Sequence, residues 1–262
     1  MSRYAAMFAK EEGVFGAFVM LGDPDLETSA AILDELVSGG ADMLELGIPF
    51  SDPIADGPVI QAAAERALRA GVTLGQCFGL LGAFRDRHPD VPTGILTYAN
   101  LVLARGRDDF YRRAALAGVD SVLAADVPLL EAVPYAAAAR AHGVEPVLIA
   151  AANTPPDRLG EIARLGGGYT YCLARAGVTG AGETVRFDHH AMLATLREAG
   201  APPPVFGFGI SRPEHVEAAL AAGAAGAISG SAIVERVAAG ASVEGFVREM
   251  KAATLCRASA IG

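Results

Sequence analysis

Two carboxylates near one apolar run have the types and spacing of a general acid/base site. Glu45 stands at the end of a short apolar segment, and Asp56 follows eleven positions later in a loop stiffened by prolines. Side chains alternate faces along a strand, so Glu45 would share a face with Met43. In a central parallel strand both faces are buried, where a lone carboxylate is costly unless it has a chemical role. The arrangement therefore indicates proton transfer.

A structural role is the alternative for Glu45, with its carboxylate paired to a buried base. No Lys or Arg occurs in the fifteen residues that follow it, which favours the catalytic interpretation. General acid/base groups typically contribute about 10²–10⁴-fold to a rate. We therefore expect that Glu45→Gln and Asp56→Asn each fold normally and lose most of the activity.

The elements that would position these groups alternate along the chain. Short apolar runs, several of them rich in β-branched residues, predict strands at Ala17–Leu21, Met43–Leu46, Thr93–Thr97, Ser121–Ala124, Pro146–Ile149, Tyr169–Cys172, Val205–Phe208 and Ala227–Ser229. Longer amphipathic segments predict helices at Leu26–Ser38, Pro58–Ala70, Leu74–Arg87, Asp108–Ala117, Leu130–His142, Pro155–Leu165, Asp188–Ala199, Arg212–Ala222, Ser231–Ala238 and Val243–Leu255.

Eight strand–helix units in 262 residues match a closed barrel. We expect an α/β protein, a (β/α)8 TIM barrel in a single domain over residues 1–262. A short extra N-terminal helix is expected where Tyr4, Met7 and Phe8 have helical spacing. The alternative is a doubly wound sheet, which usually has fewer strands and a glycine-rich turn after the first strand. Here that turn reads Gly22-Asp23-Pro24, which is no dinucleotide fingerprint.

Two glycine turns, after the seventh and eighth predicted strands, have the composition of an anion site. Phosphate often binds on these two loops of a barrel, here Gly207–Ser211 and Ser229–Ser231. Gly209 and Gly230 let backbone N–H groups approach an anion, and the helix start that follows adds partial positive charge. Ser231 can donate its hydroxyl, or alternatively is a plain N-cap. Together the two turns indicate a phosphorylated ligand.

Composition narrows the class of protein. Hydrophobic residues make up 52% of the chain, which indicates a well-filled core, and the net charge of −9 argues against nucleic-acid binding. The three cysteines fit no metal-ligand spacing, so we expect no metal and reduced thiols in a cytoplasmic protein. The N-terminus has no apolar run of a signal peptide. The uncharged segment Ala218–Val234 is interrupted by glycines and short for a bilayer, so we expect no membrane association.

Several motifs occur in a fixed order around the segment LELGIPFSDPIADGPVIQ at Leu44–Gln61. They are FVMLGDP at Phe18–Pro24, LTYANLV at Leu96–Val102, GVDSVLAADVP at Gly118–Pro128, YTYCLARAGVTG at Tyr169–Gly180, GFGIS at Gly207–Ser211 and GAISGSAIV at Gly226–Val234. On these motifs, which cover nearly the whole chain, the sequence resembles the tryptophan synthase α subunit family. The resemblance independently implies the TIM barrel.

The resemblance implies a lyase of tryptophan biosynthesis that cleaves indole-3-glycerol phosphate to indole and glyceraldehyde 3-phosphate. It implies that Glu45 first protonates indole C3 and then takes the side-chain hydroxyl proton, while Asp56 accepts the indole N–H. No cofactor is implied, because the protonated indole is the electron sink. The implied indole slot, each member of which is alternatively ordinary barrel core, is lined by Phe18, Ile60, Leu96, Tyr98, Leu123, Ala125, Ile149, Tyr171, Thr179 and Phe208. The implied phosphate contacts are Gly180, Gly209, Gly230 and Ser231.

The loop after the sixth predicted strand is glycine-rich. Three glycines within Gly177–Gly182 predict a mobile lid, and the alternative is a loop without a role. In the family this loop closes over the substrate, and Thr179 would help to hold Asp56. Ala174 stands where the family usually has a serine, so the tightness of lid closure stays open. Met20 stands where a small or hydroxylated residue is common in the family.

Family members pair with a pyridoxal-phosphate β subunit, so the resemblance implies an α2β2 heterotetramer. The run Pro49–Pro53 would suit docking if exposed, and alternatively only stiffens the loop that carries Asp56. Three rival functions remain at this point. They are a stand-alone indole-glycerol-phosphate lyase, a catalytically idle activator subunit, and another sugar-phosphate lyase on the same barrel.

Overall fold

The computed structural model describes residues 1–10, 12–174 and 189–255. Within them, nine short strands form one sheet in which all neighbouring pairs run parallel. The strands are β1 (Val14–Met20), β2 (Met43–Gly47), β3 (Thr93–Thr97), β4 (Ser121–Ala124), β5 (Glu145–Pro146), β6 (Leu148–Ala150), β7 (Thr170–Leu173), β8 (Pro204–Gly207) and β9 (Gly226–Ser229). Their order across the sheet is β5-β4-β3-β2-β1-β9-β8-β7-β6.

The two ends of this sheet meet at Val147. β5 pairs with β4 and β6 pairs with β7, and the single residue between them donates its N–H to the carbonyl of Val122 at 3.0 Å. β5 and β6 are therefore two pieces of one barrel strand, and the ring closes with eight strands. The predicted (β/α)8 barrel is confirmed.

Helices alternate with the strands around this ring. In the described residues they are α1 (Arg3–Phe8), α2 (Leu26–Ser38), α3 (Pro58–Arg69), α4 (Leu74–Arg87), α5 (Ala99–Leu103), α6 (Arg107–Leu116), a 3-10 turn at Leu129–Glu131, α7 (Ala132–Ala141), α8 (Pro156–Leu165), α9 (His190–Glu198), α10 (Pro213–Ala221), α11 (Ser231–Ala238) and α12 (Glu244–Ala252). None of these helices alone is long and apolar enough to cross a membrane. α3 and α4 meet that criterion only as a pair, and the pair is bent by 100°.

Local chemistry sets several helix starts. The Asp25 carboxylate accepts the N–H of Thr28 at 2.8 Å at the start of α2. Thr73 and Gln76 form a reciprocal capping box at the start of α4. Pro58 is the first residue of α3. A backbone N–H at this position has no partner within the helix, so the N–H that proline lacks costs no hydrogen bond. The loop that carries Asp56 therefore runs into a helix with a well-defined first residue.

The predicted N-terminal helix is present as α1, and it closes the barrel at the N-terminal ends of the strands. The Tyr4 side chain is buried there, and its hydroxyl forms a hydrogen bond with that of Ser121 at 2.8 Å. Arg3 pairs with Asp120 at 2.8 Å, and Arg85 pairs with the second oxygen of the same carboxylate at 2.9 Å. One carboxylate thus fixes α1 to α4 at the floor of the barrel.

The strand register sets which side chains share an interior layer. Phe18 on β1 pairs with Glu45 on β2, and Met20 pairs with Gly47 one layer nearer the C-terminal rim. One layer below, a Cβ at Gly16 would lie 2.7 Å from Cγ1 of Ile228, so the first strand needs a glycine there. The β1–β2 ladder has five residue pairs, whereas the β4–β5 and β8–β9 ladders have two each.

Candidate active site

Glu45 is a buried carboxyl group in the barrel interior, with 1% of its surface exposed. Its oxygen Oε1 accepts a hydrogen bond from the Tyr169 hydroxyl at 2.6 Å. Burial raises the pKa of Glu45 to about 7, because water is excluded from the charged form, and the Tyr169 hydrogen bond offsets part of that effect. A group with this pKa can both give and take a proton near neutral pH.

The partner of Glu45 belongs to a cluster of buried hydroxyl groups on the barrel floor. The Tyr169 ring packs against the Tyr4 ring with 5.5 Å between centroids. Gly94 makes room for the cluster, because a Cβ there would lie 2.6 Å from Ser121 Oγ and 3.2 Å from the Tyr4 hydroxyl. Burial raises the pKa of Tyr169 well above its ordinary value, so its hydroxyl remains a proton donor to Glu45. The floor thus fixes the position of the carboxyl group.

Asp56 lies in a tight turn between β2 and α3. Its N–H donates to the carbonyl of Pro53 at 3.1 Å, and its own carbonyl accepts from Nε2 of Gln61 at 2.7 Å. The Tyr98 hydroxyl donates to its carboxylate at 2.9 Å and accepts from the N–H of Ala55 at 3.3 Å. Burial raises the pKa of Asp56 to about 6, and the Tyr98 hydrogen bond again opposes the rise.

An ion pair anchors the helix that follows this turn. The guanidinium of Arg66 on α3 makes two hydrogen bonds of 2.7 Å to the carboxylate of Asp23, directly after β1. Asp23 is almost completely buried, and such fork-shaped pairs fix orientation as well as distance. The C-terminal end of β1 therefore helps to position α3 and, through Gln61, the backbone of Asp56.

The remaining residues proposed for the indole slot lie on strands of the ring, directly after them or, for Ile60, on α3. Phe18 is in register with Glu45, Leu96 with Leu123, and Ile149 with Tyr171. The Tyr171 ring meets the Phe208 ring edge to face at 5.9 Å. Buried members are Phe18, Ile60, Tyr98, Leu123 and Tyr171, and half-buried members are Leu96, Ala125, Ile149 and Phe208. Thr179, like Gly180 and the loop Gly177–Gly182, lies outside the described residues.

The two glycine turns lie on the same rim as Asp56, because all the strands are parallel. After β8 the backbone takes two consecutive left-handed conformations, with φ of 66° at Phe208 and 83° at Gly209. A positive φ is unusual for a bulky residue and is typical of functional sites. Gly230 caps α11 and Ser231 is its first helical residue, so the plain N-cap interpretation of Ser231 is wrong. Ser229 ties the two turns together through a 2.7 Å hydrogen bond to the carbonyl of Ile210.

Sequence reasoning missed three residues that organise this site. Tyr169 rather than Tyr171 donates to Glu45, and the tyrosine pair in the predicted strand offered no means of choosing between them. Gln61 and Ser229 act through backbone carbonyls, which a sequence does not display. In the described part of the chain, no three His, Cys, Asp or Glu side chains are grouped as metal ligands would be.

Comparison with known proteins identifies the family. The family model described as tryptophan synthase alpha chain matches residues 4–259. The chain belongs to this family. The alpha chains of Shewanella amazonensis and Cronobacter sakazakii are 52% and 53% identical to it, each over 97% of this chain and over 100% and 99% of their own lengths. A solved tryptophan synthase α2β2 complex of Pyrococcus furiosus contains a chain with a TM-score of 0.83 and 34% identity, covering 94% of this chain and 98% of that one.

Proposed function

We propose that this tryptophan synthase alpha chain cleaves indole-3-glycerol phosphate to indole and glyceraldehyde 3-phosphate, with Glu45 and Asp56 as its catalytic residues. The observation that carries the assignment is the pair of buried carboxyl groups with raised pKa values, about 7 and about 6. Glu45 lies inside the barrel and Asp56 lies at its rim. The same rim carries the two glycine turns, which are suited to binding an anion. Family membership identifies the substrate, a molecule that contains both an aromatic ring and a phosphoryl group.

The carbon–carbon bond breaks only if the electrons it leaves behind have an acceptor. Protonated Glu45 gives its proton to indole C3, which converts the ring to an indolenine with positive charge at nitrogen. The ionised Asp56 accepts the N–H and stabilises that charge. Glu45, now a carboxylate, takes the proton of the side-chain hydroxyl. The C–C bond then breaks as the carbonyl of glyceraldehyde 3-phosphate forms, and its electrons restore the aromatic indole.

These roles set the pH dependence of the isolated chain. Asp56 must be ionised, so kcat/KM should rise as the pH increases through about 6. Glu45 must start protonated, so kcat/KM should fall as the pH increases through about 7. The phosphoryl group would bind the N–H groups of the turns at Gly209 and Gly230, with the Ser231 hydroxyl as a further donor.

A β subunit is the proposed partner, in an α2β2 assembly like that of the Pyrococcus furiosus complex. Large apolar side chains stand exposed beyond the C-terminal ends of three neighbouring strands. Ile54 follows β2 and is 76% exposed, Leu103 follows β3, and Leu130 follows β4 and is 72% exposed. Exposed apolar side chains on one rim suit a protein interface. We further propose that the chain functions as one domain in the cytoplasm.

The direct test is indole release by the purified chain, measured with and without a β subunit. Glu45→Gln and Asp56→Asn should each lower kcat/KM by about 10²–10⁴-fold while the circular-dichroism spectrum is unchanged. Glu198→Gln is the control, because Glu198 is an exposed carboxylate at the end of α9. Turnover of Glu45→Gln near that of the unmodified chain would reject the assignment.

The same assay separates the rival functions. Strong activation by the β subunit is expected of a synthase alpha chain, whereas high activity that a β subunit does not change indicates a stand-alone lyase. No indole from the chain under either condition, together with activation of the β subunit, indicates an idle activator.

A further inference from the structure

Met20, the last residue of β1, lies at the mouth of the barrel on its inner face. It shares that face with Phe18 two positions earlier, and it is in register with Gly47 on β2, as Phe18 is with Glu45. Two strand residues span roughly 7 Å. Met20 therefore lies about one side-chain layer above Glu45, toward the rim that carries Asp56, and only 3% of its surface is exposed.

Gly47 shows where the Met20 side chain goes. A Cβ added at Gly47 would lie 3.0 Å from both Sδ and Cε of Met20 and 2.9 Å from Cζ of Phe18. The ends of both side chains thus lie over the bare backbone of Gly47. The thiomethyl group of Met20 leans across from β1 to β2, the strand that leads to Asp56.

This position borders the space in which an indole ring would lie. Phe18 extends from Gly230, where an added Cβ would lie 3.4 Å from its Cδ1, to Gly47. If the phosphoryl group binds at the Gly230 turn, as proposed above, the ring at the other end of the substrate would lie away from that turn, on the side of Phe18 that reaches Gly47. Met20 stands at this end of Phe18. In that arrangement its thioether would form the wall of the slot at the end distant from the phosphate.

We propose that Met20 sets the size limit of the aromatic slot and so determines which ring-substituted indole-glycerol phosphates the chain cleaves. This inference rests on the proposed lyase function and deepens it. A methionine fills irregular apolar gaps and packs well against aromatic rings. In an apolar pocket one methylene group is discriminated by roughly 10–200-fold. The Met20 side chain has no ionisable group, so it takes no part in proton transfer and affects specificity alone.

The test uses the full-length chain with indole-3-glycerol phosphate and four analogues, each carrying one methyl group on a different carbon of the benzo ring. Met20→Ala removes the side chain beyond Cβ. For at least one analogue, its kcat/KM relative to the parent substrate should rise by about tenfold or more. Met20→Leu has a similar volume and should keep the ratios of the unmodified chain.

Val19→Ala is the matched control, because Val19 is equally buried on β1 but faces away from the barrel interior. It should leave all four ratios unchanged. If Met20→Ala does not fold, Met20→Val also removes the thiomethyl end and should show the same rise. Ratios that stay constant in the shortened variants, or that change equally in Val19→Ala, would overturn the inference. Failure of the proposed function is a separate result, in which the unmodified chain cleaves no parent substrate.

Discussion

Glu45→Gln should make the protein more stable at alkaline pH while it removes catalysis. The unmodified chain must hold a carboxylate in an interior position without water, and burial raises the pKa of that group from 4.5 to about 7. An amide of nearly the same shape carries no charge at any pH. The amide oxygen can still accept the hydrogen bond from the Tyr169 hydroxyl, which donates to the carboxylate at 2.6 Å in the unmodified chain.

The sign and the size of the effect follow from this shift. A group with a raised pKa in the folded state favours folding while it is protonated, and that contribution is lost as the pH rises through the folded-state pKa. Each pKa unit corresponds to 1.36 kcal/mol, so the rise from 4.5 to about 7 costs about 3 kcal/mol above pH 7. Between about pH 4.5 and pH 8, the free energy of unfolding should therefore fall by about 3 kcal/mol more in the unmodified chain than in Glu45→Gln.

Urea unfolding at a series of pH values measures this difference. The comparison between variants cancels the titration of all other groups. Glu198→Gln is the control variant, because it makes the same chemical change at an exposed position. The reasoning is refuted if Glu45→Gln and the unmodified chain differ by the same amount at pH 4.5 and pH 8, or if the variant is the one that loses more.

Two further variants test the floor of the barrel. Tyr169→Phe removes a hydrogen bond to the Glu45 carboxylate that contributes roughly 1.5–3 kcal/mol. Because that bond favours the ionised form, its loss should raise the pKa of Glu45 and move the alkaline limb of the kcat/KM profile up by about one to two pH units. An alkaline limb that stays in place or moves to lower pH would contradict this. Gly94→Ala puts a Cβ 2.6 Å from Ser121 Oγ, so the free energy of unfolding in urea should fall by roughly 1–3 kcal/mol. Ser121→Gly has a cost of its own, because it removes the partner of the buried Tyr4 hydroxyl, so Gly94→Ala is compared in the two backgrounds. Gly94→Ala should cost much less in the Ser121→Gly background than in the unmodified chain, and an equal cost in both would exclude overpacking against Ser121.

The sequence predicts the barrel well where local and global preferences agree. β3 and β4 have the predicted bounds, as do α2, α4 and α11, because each is an apolar run or an amphipathic stretch with clear ends. The sequence predicts a start of β1 at Ala17, three residues after the observed start, because Gly16 weakens the strand pattern. That glycine is required by Ile228, a residue more than two hundred positions away. The sequence does not predict α5, because five residues are too few for a periodic signal.

The site was predictable in its charged groups and less so in the groups around them. A carboxylate in an apolar strand is conspicuous, so Glu45 is found from the sequence alone. The donor that holds it comes from Tyr169, which lies on the far side of the ring and 124 positions later. Such a pairing depends on the register and closure of the barrel, which only the folded chain establishes. The role of Met20 depends likewise on a glycine in the neighbouring strand.

The two short ladders of the ring have a mechanical consequence. They divide the barrel into an arc of β9, β1, β2, β3 and β4 and a smaller arc of the split fifth strand, β7 and β8. Glu45 belongs to the first arc, and Tyr171 and Phe208 belong to or follow the second. We therefore expect thermal motion to change the separation of the two arcs more readily than the spacing of strands within either arc. A ligand that contacts both arcs would cross-link them. Its binding should therefore make the whole barrel harder to open.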